Sequence, residues 1–207
     1  MTDADRANLI DQFGSIDIYL FDQIHRGRIT SGMRVLDAGC GRGRNLVYLL
    51  RSGADVSGVD ADPDNIDRVR AMAAEFSPDL PPEQFRSEPL DRLSFSDADF
   101  DAVLCNAVLH FMKDDVEFRA ALDQLFRVLR PGGLFFARLA STIGIENLVE
   151  HENGRWHRLP DGTRRYLVDA EFLEAEARRV GATLADPLKT TVVQAQRSMT
   201  TWVLRKD

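Results

Sequence analysis

The sequence predicts an α/β protein built on an open, mostly parallel sheet. Short apolar runs alternate along the chain with segments of helical spacing, and this alternation is typical of β-α-β units. A glycine-rich turn, residues 39–43, directly follows the first apolar run, and Asp60 ends the second. In a parallel sheet both features fall at the carboxyl edge of the strands, where ligands bind.

The first half of the chain is predicted to contain three strands. Apolar residues at helical spacing predict helix from about residue 4 to residue 27, with a break near Gly14 that permits two short helices. A glycine ends the helix before strand two, and Pro63 suits the first turn of the helix after it. The predicted strands are Arg34 to Ala38, Val56 to Asp60 and Gln84 to Glu88, and the predicted helices run from about Arg44 to Arg51 and from Pro63 to about Phe76.

The second half is predicted to complete the sheet. Phe100 to Asn106 is an apolar run typical of a buried parallel strand. The last two strands have a link of two or three residues, so an antiparallel hairpin is expected. The other predicted elements are a helix from Asp114 to Leu129, a turn at residues 130–133, a strand from Leu134 to Leu139, a helix capped by Asp169 and running through Val180, and hairpin strands from Thr190 to Gln196 and from Met199 to Arg205.

Composition favours one domain, residues 1–207, that acts on a small molecule. Its 207 residues are 44% hydrophobic, enough for a core. The longest apolar runs fall short of the roughly 18–20 residues that cross a membrane, and the polar N-terminus does not resemble a signal peptide, so a cytoplasmic protein without membrane contact is expected. The net charge of −7 and the lack of a basic stripe argue against nucleic acid as a partner. Monomer and homodimer both remain open.

The cysteines and histidines do not predict a metal site. Cys40 and Cys105 lack metal-ligand spacing. They fall at the C-terminal ends of two predicted strands that are expected to be neighbours. The thiols are therefore expected near each other, as reduced and buried residues rather than a redox pair. His151 and His157 lack a third ligand at suitable spacing, so no metal is expected there.

The glycine-rich turn and Asp60 together predict a cofactor that contains adenosine. Glycines let the backbone approach a ligand closely, and an acidic residue at the next strand end can accept hydrogen bonds from two ribose hydroxyls. Arg44 stands where a dinucleotide fingerprint has its third glycine, and the Asp37 carboxylate would repel a pyrophosphate but attract an ammonium or a sulfonium. A turn without a ligand, with Asp60 as a helix-capping residue, remains the alternative.

Three segments resemble motifs of the class I S-adenosyl-L-methionine (SAM)-dependent methyltransferases. Leu-Asp-Ala-Gly-Cys-Gly-Arg-Gly at residues 36–43 resembles the first motif, residues 59–62 the second, and residues 105–111 the fourth. By motif the resemblance covers about residues 33–140, and by order of elements it extends to the C-terminus. It implies a Rossmann-like fold with a seven-stranded sheet in the order 3-2-1-4-5-7-6, strand seven antiparallel, and helices on both faces.

The resemblance also implies SAM as cofactor, S-adenosyl-L-homocysteine as product, and a set of cofactor-binding residues. Asp60 would hold the ribose hydroxyls, Ala61 would line the adenine, and Asn106 would face the methionine part. The implied residues are Asp37, Gly39, Cys40, Gly41, Arg44, Asn45, Asp60, Ala61, Glu88, Pro89, Leu90, Asn106 and Ala107.

The adenine contact departs from the family pattern. Relatives often place an aspartate at the end of strand three to meet the adenine amino group. Here Pro89 takes that position and Glu88 lies one residue away. The contact therefore remains open among Glu88, Pro89 and Leu90, and Glu88 as a plain surface residue is the alternative.

Three regions are candidates for the acceptor side. Residues 1–30 are predicted to form a helical cap whose Phe13, Tyr19 and His25 can wall the pocket. Residues 141–168 are predicted to form a substrate-side insertion whose arginines, among them Arg164 and Arg165, suit an anionic acceptor; an ordinary surface excursion is the alternative. His110 is the candidate general base, because the usual histidine pKa suits base work. A histidine that only packs near the cofactor is the other interpretation of that residue.

The predicted function is SAM-dependent methyl transfer to a small acceptor. The compact chain and its C-terminal strands are similar to small bacterial type-11 methyltransferases of the tellurite-resistance type, which suggests a soft or anionic acceptor such as a chalcogen oxyanion or a thiol. A SAM-binding protein without catalytic activity is one alternative. An NAD-dependent oxidoreductase, which Asp60 alone would allow, is the other.

Overall fold

A computed structural model describes residues 3–207, and for residues 3, 4 and 6 it describes the backbone alone. The helices are α1 (Asp3–Phe13), α2 (Ile18–His25), α3 (Val47–Arg51), α4 (Pro63–Phe76), α5 (Asp115–Val128) and α6 (Ala170–Arg179). The strands are β1 (Arg34–Ala38), β2 (Asp55–Asp60), β3 (Phe85–Ser87), β4 (Phe100–Asn106), β5 (Leu129–Ala140), β6 (Glu150–Asn153), β7 (Trp156–Arg158), β8 (Arg164–Tyr166), β9 (Ala182–Leu184), β10 (Lys189–Val193) and β11 (Arg197–Lys206).

The main sheet has the predicted order. Its path is β10-β11-β5-β4-β1-β2-β3. The five strands from β5 to β3 are parallel to one another, whereas β11 runs antiparallel to both β5 and β10. The predicted order 3-2-1-4-5-7-6 and the antiparallel hairpin are therefore confirmed. One strand of this sheet, the short β9, was not predicted. It pairs with the end of β11 and makes the sheet eight-stranded.

Helices cover both faces of the sheet, as expected for a doubly wound fold. On one face, α5 and α6 bury Phe118, Leu122 and Phe172 against alternate residues of the strands. On the other face, α3 and α4 bury Leu49 and Val69 against the intervening residues. The strands β1 and β4 are buried on both faces, which explains why they occur as nearly continuous apolar runs in the sequence.

The helix after the glycine turn begins later than predicted. Arg44 was the expected first residue, but α3 starts at Val47. Gly43 has a φ of 80°, which is left-handed, and the turn closes through hydrogen bonds from the Gly43 amide to the Cys40 carbonyl and from the Leu46 amide to the Gly43 carbonyl. This turn leaves Arg44 and Asn45 in the loop instead of in the helix.

Two segments form strands that the sequence did not predict. Residues 130–133 were predicted as a turn, but they lie within β5, where the pairing with β4 shifts register between Phe100 and Ala102. Residues 150–166 form a separate antiparallel sheet in the order β6-β7-β8. These short strands are rich in charged residues and lack apolar alternation, so the sequence does not mark them as strands.

The cysteines do not lie on the same side of the sheet. Cys40 packs among the apolar residues of the α3–α4 face, whereas Cys105 packs on the α5–α6 face. The two thiols were expected near each other, but they belong to the cores of opposite faces, because Cys40 lies in the turn after β1 and not in the strand itself. Both are free thiols, and burial raises the pKa of each.

Among the helices of residues 3–207, none combines the length and apolarity that crossing a membrane requires.

Replacing a core residue of α5 should destabilise the fold far more than replacing an exposed one. Leu122 is fully buried, whereas Val116 is 75% exposed. We expect Leu122→Ala to lower the free energy of unfolding by about 2–5 kcal/mol, and Val116→Ala to change it by less than about 0.5 kcal/mol. Urea denaturation followed by circular dichroism measures both. Equal effects would mean that α5 does not pack on the sheet as described.

Candidate functional site

A cavity of about 970 Å³ opens at the carboxyl edge of β1, β2 and β4. Its size is at the upper end of the range of about 300–1,000 Å³ that small-molecule sites span. It is lined by Gly39, Cys40, Gly41, Arg42, Arg44, Asn45, Asp60, Ala61, Glu88, Pro89, Leu90, Asp91, Arg92, Asn106, Ala107, Val108, Phe111, Met112, Glu117 and Ala121.

The glycine turn after β1 forms one wall of the cavity. The amides of Gly39 and Cys40 both donate to the Val59 carbonyl, at 2.8 and 2.9 Å, which ties the turn to the end of β2. Gly39 has a φ of 76°, and a Cβ built on it would lie 2.3 Å from Cγ2 of Val108. The turn therefore packs against the segment after β4 at a distance that only glycine permits.

Asp60 is the acidic group at the tip of β2, and its carboxylate organises the loops around it. Oδ2 accepts a hydrogen bond from the Gly41 amide at 2.9 Å. Oδ1 accepts from the Asp62 amide at 3.0 Å and from the Asn65 side chain at 3.1 Å. Each carboxylate oxygen has further acceptor capacity, so Asp60 can also accept hydrogen bonds from ligand hydroxyls.

Apolar side chains line part of the cavity. Ala61, Leu90 and Val108 are among them, a chemistry that suits a flat ring. Glu88 lies at the edge of this surface and accepts hydrogen bonds from the amide and the hydroxyl of Ser94. Ala107 holds a left-handed φ of 64°, a strained conformation for a residue with a Cβ.

Two buried polar side chains at this edge have no hydrogen-bond partner. Asn106 is 6% exposed and lines the cavity, yet neither its oxygen nor its nitrogen is bonded within residues 3–207. Asp37 is 1% exposed, and neither of its carboxylate oxygens is bonded there either. Burial raises the pKa of Asp37 to about 7, Arg44 opposes that shift, and the charge of Asp60 adds to it. Unpaired groups of this kind are expected where a ligand completes the site.

The structure brings most of the predicted cofactor residues together. Gly39, Cys40, Gly41, Arg44, Asn45, Asp60, Ala61, Glu88, Pro89, Leu90, Asn106 and Ala107 all line the cavity. Asp37 differs from them because it lies buried at the end of β1 and is not part of the lining. Their individual roles toward a cofactor stay predictions.

Several lining residues were not predicted. Val108, Phe111 and Met112 lie within six residues after Asn106. Their position in or beside the fourth motif, at the end of a predicted strand, could have identified them. Glu117 and Ala121 lie on α5, where only the packing of the helix against the cavity identifies them.

His110 lies behind the cavity rather than in its lining. It is buried, and its Nδ1 accepts a hydrogen bond from the Ala140 amide at 3.3 Å. Burial, with a smaller contribution from the charge of Arg165, lowers the pKa of His110 to about 4. At neutral pH the side chain is therefore an uncharged imidazole that supports the segment after β4.

The N-terminal helices contact the cavity through Asn45 rather than through the predicted residues. Asn45 accepts a hydrogen bond from the Asp17 amide at 3.1 Å. Of the predicted residues, Phe13 stacks on Tyr48, and Tyr19 bonds Thr191 at 2.5 Å through their hydroxyl groups. Neither they nor His25 line the cavity.

The insertion at residues 141–168 engages most of its charged groups internally. Arg164 bonds Glu152 at 2.6 Å, whereas Arg165 lies 5.7 Å from the Phe111 ring at the cavity wall. A second cavity of about 600 Å³ is lined in part by His151 and His157. Within residues 3–207, no cluster of three or more acidic, histidine or cysteine side chains is arranged to hold a metal ion.

Comparison with known proteins identifies the type of domain. Residues 36–137 match a family described as a methyltransferase domain. The ubiquinone biosynthesis O-methyltransferase of Brucella anthropi is 33% identical over 166 residues, which are 77% of this chain and 64% of that protein. The chain thus spans just under two thirds of the length of this relative.

Solved structures share the fold. The 1,6-didemethyltoxoflavin-N1-methyltransferase of Burkholderia thailandensis superposes with a TM-score of 0.69 at 24% identity, covering 98% of this chain and 83% of that one. The [4+2]-cyclase SpnF superposes with a TM-score of 0.73 at 19% identity, covering 91% and 80% of the two chains.

An alanine at Gly39 should disturb the cavity wall more than one at a comparable surface glycine. Gly27 also has a positive φ, 68°, but nothing lies within 4 Å of a Cβ built on it. Gly27→Ala should therefore cost only the strain of a left-handed alanine, about 1–2 kcal/mol. Gly39→Ala adds the clash with Val108, about 1–3 kcal/mol more. Thermal or urea unfolding compares the two variants, and equal losses would contradict the close packing at Gly39.

Proposed function

Because the chain belongs to the class I SAM-dependent methyltransferases, we propose that its cavity binds SAM and that the protein transfers the methyl group to a small-molecule acceptor. The observation that carries this proposal is that the glycine turn, Asp60 and Asn106 line one cavity together.

The chemistry of the lining fits the parts of SAM. Asp60 has free acceptor capacity for the ribose hydroxyls beside the Gly41 amide. Ala61, Leu90 and Val108 offer apolar surface for the adenine. The unbonded amide of Asn106 can bind the methionine part. Glu88, Pro89 and Leu90 all border the cavity, so we propose that the adenine edge meets this stretch of backbone and side chains.

The same lining disfavours a dinucleotide. The buried Asp37 carboxyl lies at the end of β1, next to the turn on which a pyrophosphate would rest. A diphosphate would experience repulsion there whenever Asp37 is ionised. A ligand that carries an ammonium and a sulfonium would be attracted instead. This contrast supports SAM over NAD.

The proposed role of the protein is mainly to position the reactants. When bound, SAM supplies a methyl group that its positively charged sulfur already activates. The residues of the chain then need to hold the donor and the acceptor in line, and positioning alone can contribute several kcal/mol. The apolar lining around Val108, Phe111 and Met112 also suits a reaction in which charge is lost.

We propose that His110 supports the site and does not act as the general base. Its ring does not line the cavity, and its Nδ1 is used by the Ala140 amide. A group whose pKa is lowered to about 4 is also a weak base at neutral pH.

The acceptor is proposed to be a small molecule with a nucleophilic oxygen or sulfur. The named activity of the Brucella anthropi relative, an O-methyltransferase, supports oxygen. The resemblance of the sequence to tellurite-resistance methyltransferases supports a softer acceptor atom, such as sulfur. Residues 141–168 are proposed to border the acceptor, since Arg165 reaches the Phe111 ring at the cavity wall.

A second candidate function is SAM binding without methyl transfer. The structural similarity to SpnF, which is named a cyclase, is the reason to consider this second function, because the same fold can serve chemistry other than methylation. S-Adenosylhomocysteine release, measured by mass spectrometry against thiols, phenols, carboxylates, amines, selenite and tellurite, separates the two. Turnover of any class supports the transferase, and SAM binding with none of them turned over supports the second candidate.

Asp60→Asn should weaken SAM binding strongly. The amide removes the charge from the hydrogen bonds to ribose, and a bond to a charged group is worth about 1.5–3 kcal/mol. We expect the Kd for SAM to rise by about 10- to 100-fold in isothermal titration calorimetry. Asp64→Asn is the matched control, since Asp64 lies on the exposed first turn of α4 outside the cavity. Tight NAD binding without SAM binding would overturn the proposal.

His110→Asn should leave methyl transfer largely intact. The asparagine oxygen can accept from the Ala140 amide as Nδ1 does, so we expect the kcat to fall by less than about tenfold. Loss of a general base would instead cost about 10²–10⁴-fold, and a loss of that size would show that His110 is the base.

The same variant tests the pKa of His110. A histidine whose pKa is lowered from about 6.5 to about 4 on folding binds its proton more readily in the unfolded chain. The wild-type protein should therefore lose free energy of unfolding, relative to His110→Asn, as the pH falls from about 6.5 toward 4. Urea denaturation at several pH values measures this difference.

A further inference from the structure

We propose that Arg138, with Asn106 and Thr201 on either side, forms a binding site for a carboxylate group of the methyl acceptor. This inference rests on the proposed function, and it names a chemical class for the acceptor. The three residues are called the β5 polar row below.

The β5 polar row is set by the register of the sheet. Asn106 on β4 pairs with Arg138 on β5, and Arg138 pairs with Thr201 on β11. Residues in register on neighbouring strands project from the same face and lie about 5 Å apart. The next residues inward on this face, Leu104 and Phe136, belong to the apolar core beside α3 and α4. The row therefore marks the point where the core of that face ends and polar groups begin.

Every member of the β5 polar row has a buried polar atom without a partner. Asn106 and Thr201 are 6% and 3% exposed. Within residues 3–207, both polar atoms of the Asn106 side chain, Oγ1 of Thr201 and Nε of Arg138 make no hydrogen bond. Native proteins leave few such atoms unpaired. Four such atoms on three adjacent strands indicate a site that a polar ligand completes.

The guanidinium of Arg138 is held so that one edge stays free. Its Nη1 donates to Asp17 Oδ2 at 3.1 Å, and the group lies 5.3 Å from the centre of the Tyr19 ring. Nη2 makes no hydrogen bond to any residue in the range 3–207 and is not among the buried unpaired atoms, so it remains accessible. The edge without a hydrogen bond is thus the Nε–Nη2 pair, in which Nε is buried and Nη2 is accessible. An edge of this kind binds the two oxygens of a carboxylate side by side.

The groups that position Arg138 are themselves fixed. Asp17 caps the N-terminus of α2, and its Oδ1 accepts a hydrogen bond from the Tyr19 amide at 2.9 Å. The Tyr19 hydroxyl bonds Thr191 on β10. The Asp17 carboxylate balances the single positive charge of the guanidinium, so the site should select a ligand by the geometry of its two oxygens more than by net charge. The long Arg138 side chain is therefore ordered before a ligand arrives, which lowers the entropic cost of binding.

The β5 polar row adjoins the cofactor cavity. Asn106 belongs to both, and Asn45, which lines the cavity, accepts from the amide of Asp17. The backbone adds a further link, because the Ala107 amide donates to the Arg138 carbonyl at 2.8 Å. A carboxylate bound at Arg138 would place the rest of a small acceptor beside the methionine end of the cofactor.

Nuclear magnetic resonance of the protein with S-adenosylhomocysteine tests this site without turnover. The Nε–H signal of Arg138 is identified by its loss in Arg138→Lys. We expect benzoate to shift that signal saturably, and benzamide, which has the same shape without the carboxylate, to bind at least about tenfold more weakly. Acetate and acetamide give the same comparison for a smaller probe.

Variants separate this site from general anion binding. Arg138→Lys keeps the charge that pairs with Asp17 but loses the paired donors, so benzoate affinity should fall by at least about tenfold. Thr201→Val should lower it by about 2- to 10-fold. Arg197→Lys, at an exposed arginine that begins β11, should leave it unchanged. The affinity for S-adenosylhomocysteine should stay within about threefold in all of them.

The two proposals fail in different ways. Equal shifts with benzoate and benzamide, or no shift at Arg138, overturn the carboxylate site even when S-adenosylhomocysteine binds. Failure to bind S-adenosylhomocysteine overturns the proposed function, and the benzoate titration of the cofactor-free protein then judges the carboxylate site by itself.

Discussion

The close packing of Gly39 against Val108 is the constraint on which the site depends. Because Gly39 has no Cβ and adopts a φ of 76°, the turn after β1 reaches the segment after β4. That approach brings together loops from three strands that are neighbours in the sheet but distant in sequence. The turn is also tied to β2 through the Val59 carbonyl and Asp60. The absence of a side chain at Gly39 thus allows the close packing that positions the cavity wall and its acidic group, Asp60.

The second organising feature is a polar layer placed directly on an apolar core. Asp37, Asn106 and Thr201 are each less than a tenth exposed, yet none of them finds a side-chain partner within residues 3–207. Burying such groups costs free energy unless a hydrogen bond replaces the lost water. The strands below them are apolar on both faces and supply the stability that tolerates this cost. Stability therefore comes from the inner part of the sheet, and ligand chemistry is concentrated at its carboxyl edge.

The sequence predicted the elements that are defined by local patterns. β1 and β4 have their predicted bounds because continuous apolar runs end at glycine or polar residues. The cavity lining was largely predicted because strand ends of a parallel sheet converge. The start of α3, the β6–β8 sheet and β9 were missed, since a left-handed glycine and short polar strands leave no periodic signal. The Asp17–Arg138 pair joins residues far apart in the chain, and only the tertiary fold identifies it.

The division between predicted and unpredicted residues follows a division of function. The residues that we assign to the cofactor lie at the ends of β1, β2 and β4 and in the segments that follow β1 to β4, where spacing along the chain is enough to define a site. Apart from Asn106 and the segment 141–168, the residues that we assign to the acceptor lie on β5 and β11 and at the start of α2. Their contacts with one another are set by sheet register and by the packing of α2. A fold can keep the first set while the second changes, which is how one architecture serves different reactions. The identity of the acceptor is therefore decided at the β5 polar row and its neighbours more than at the glycine turn.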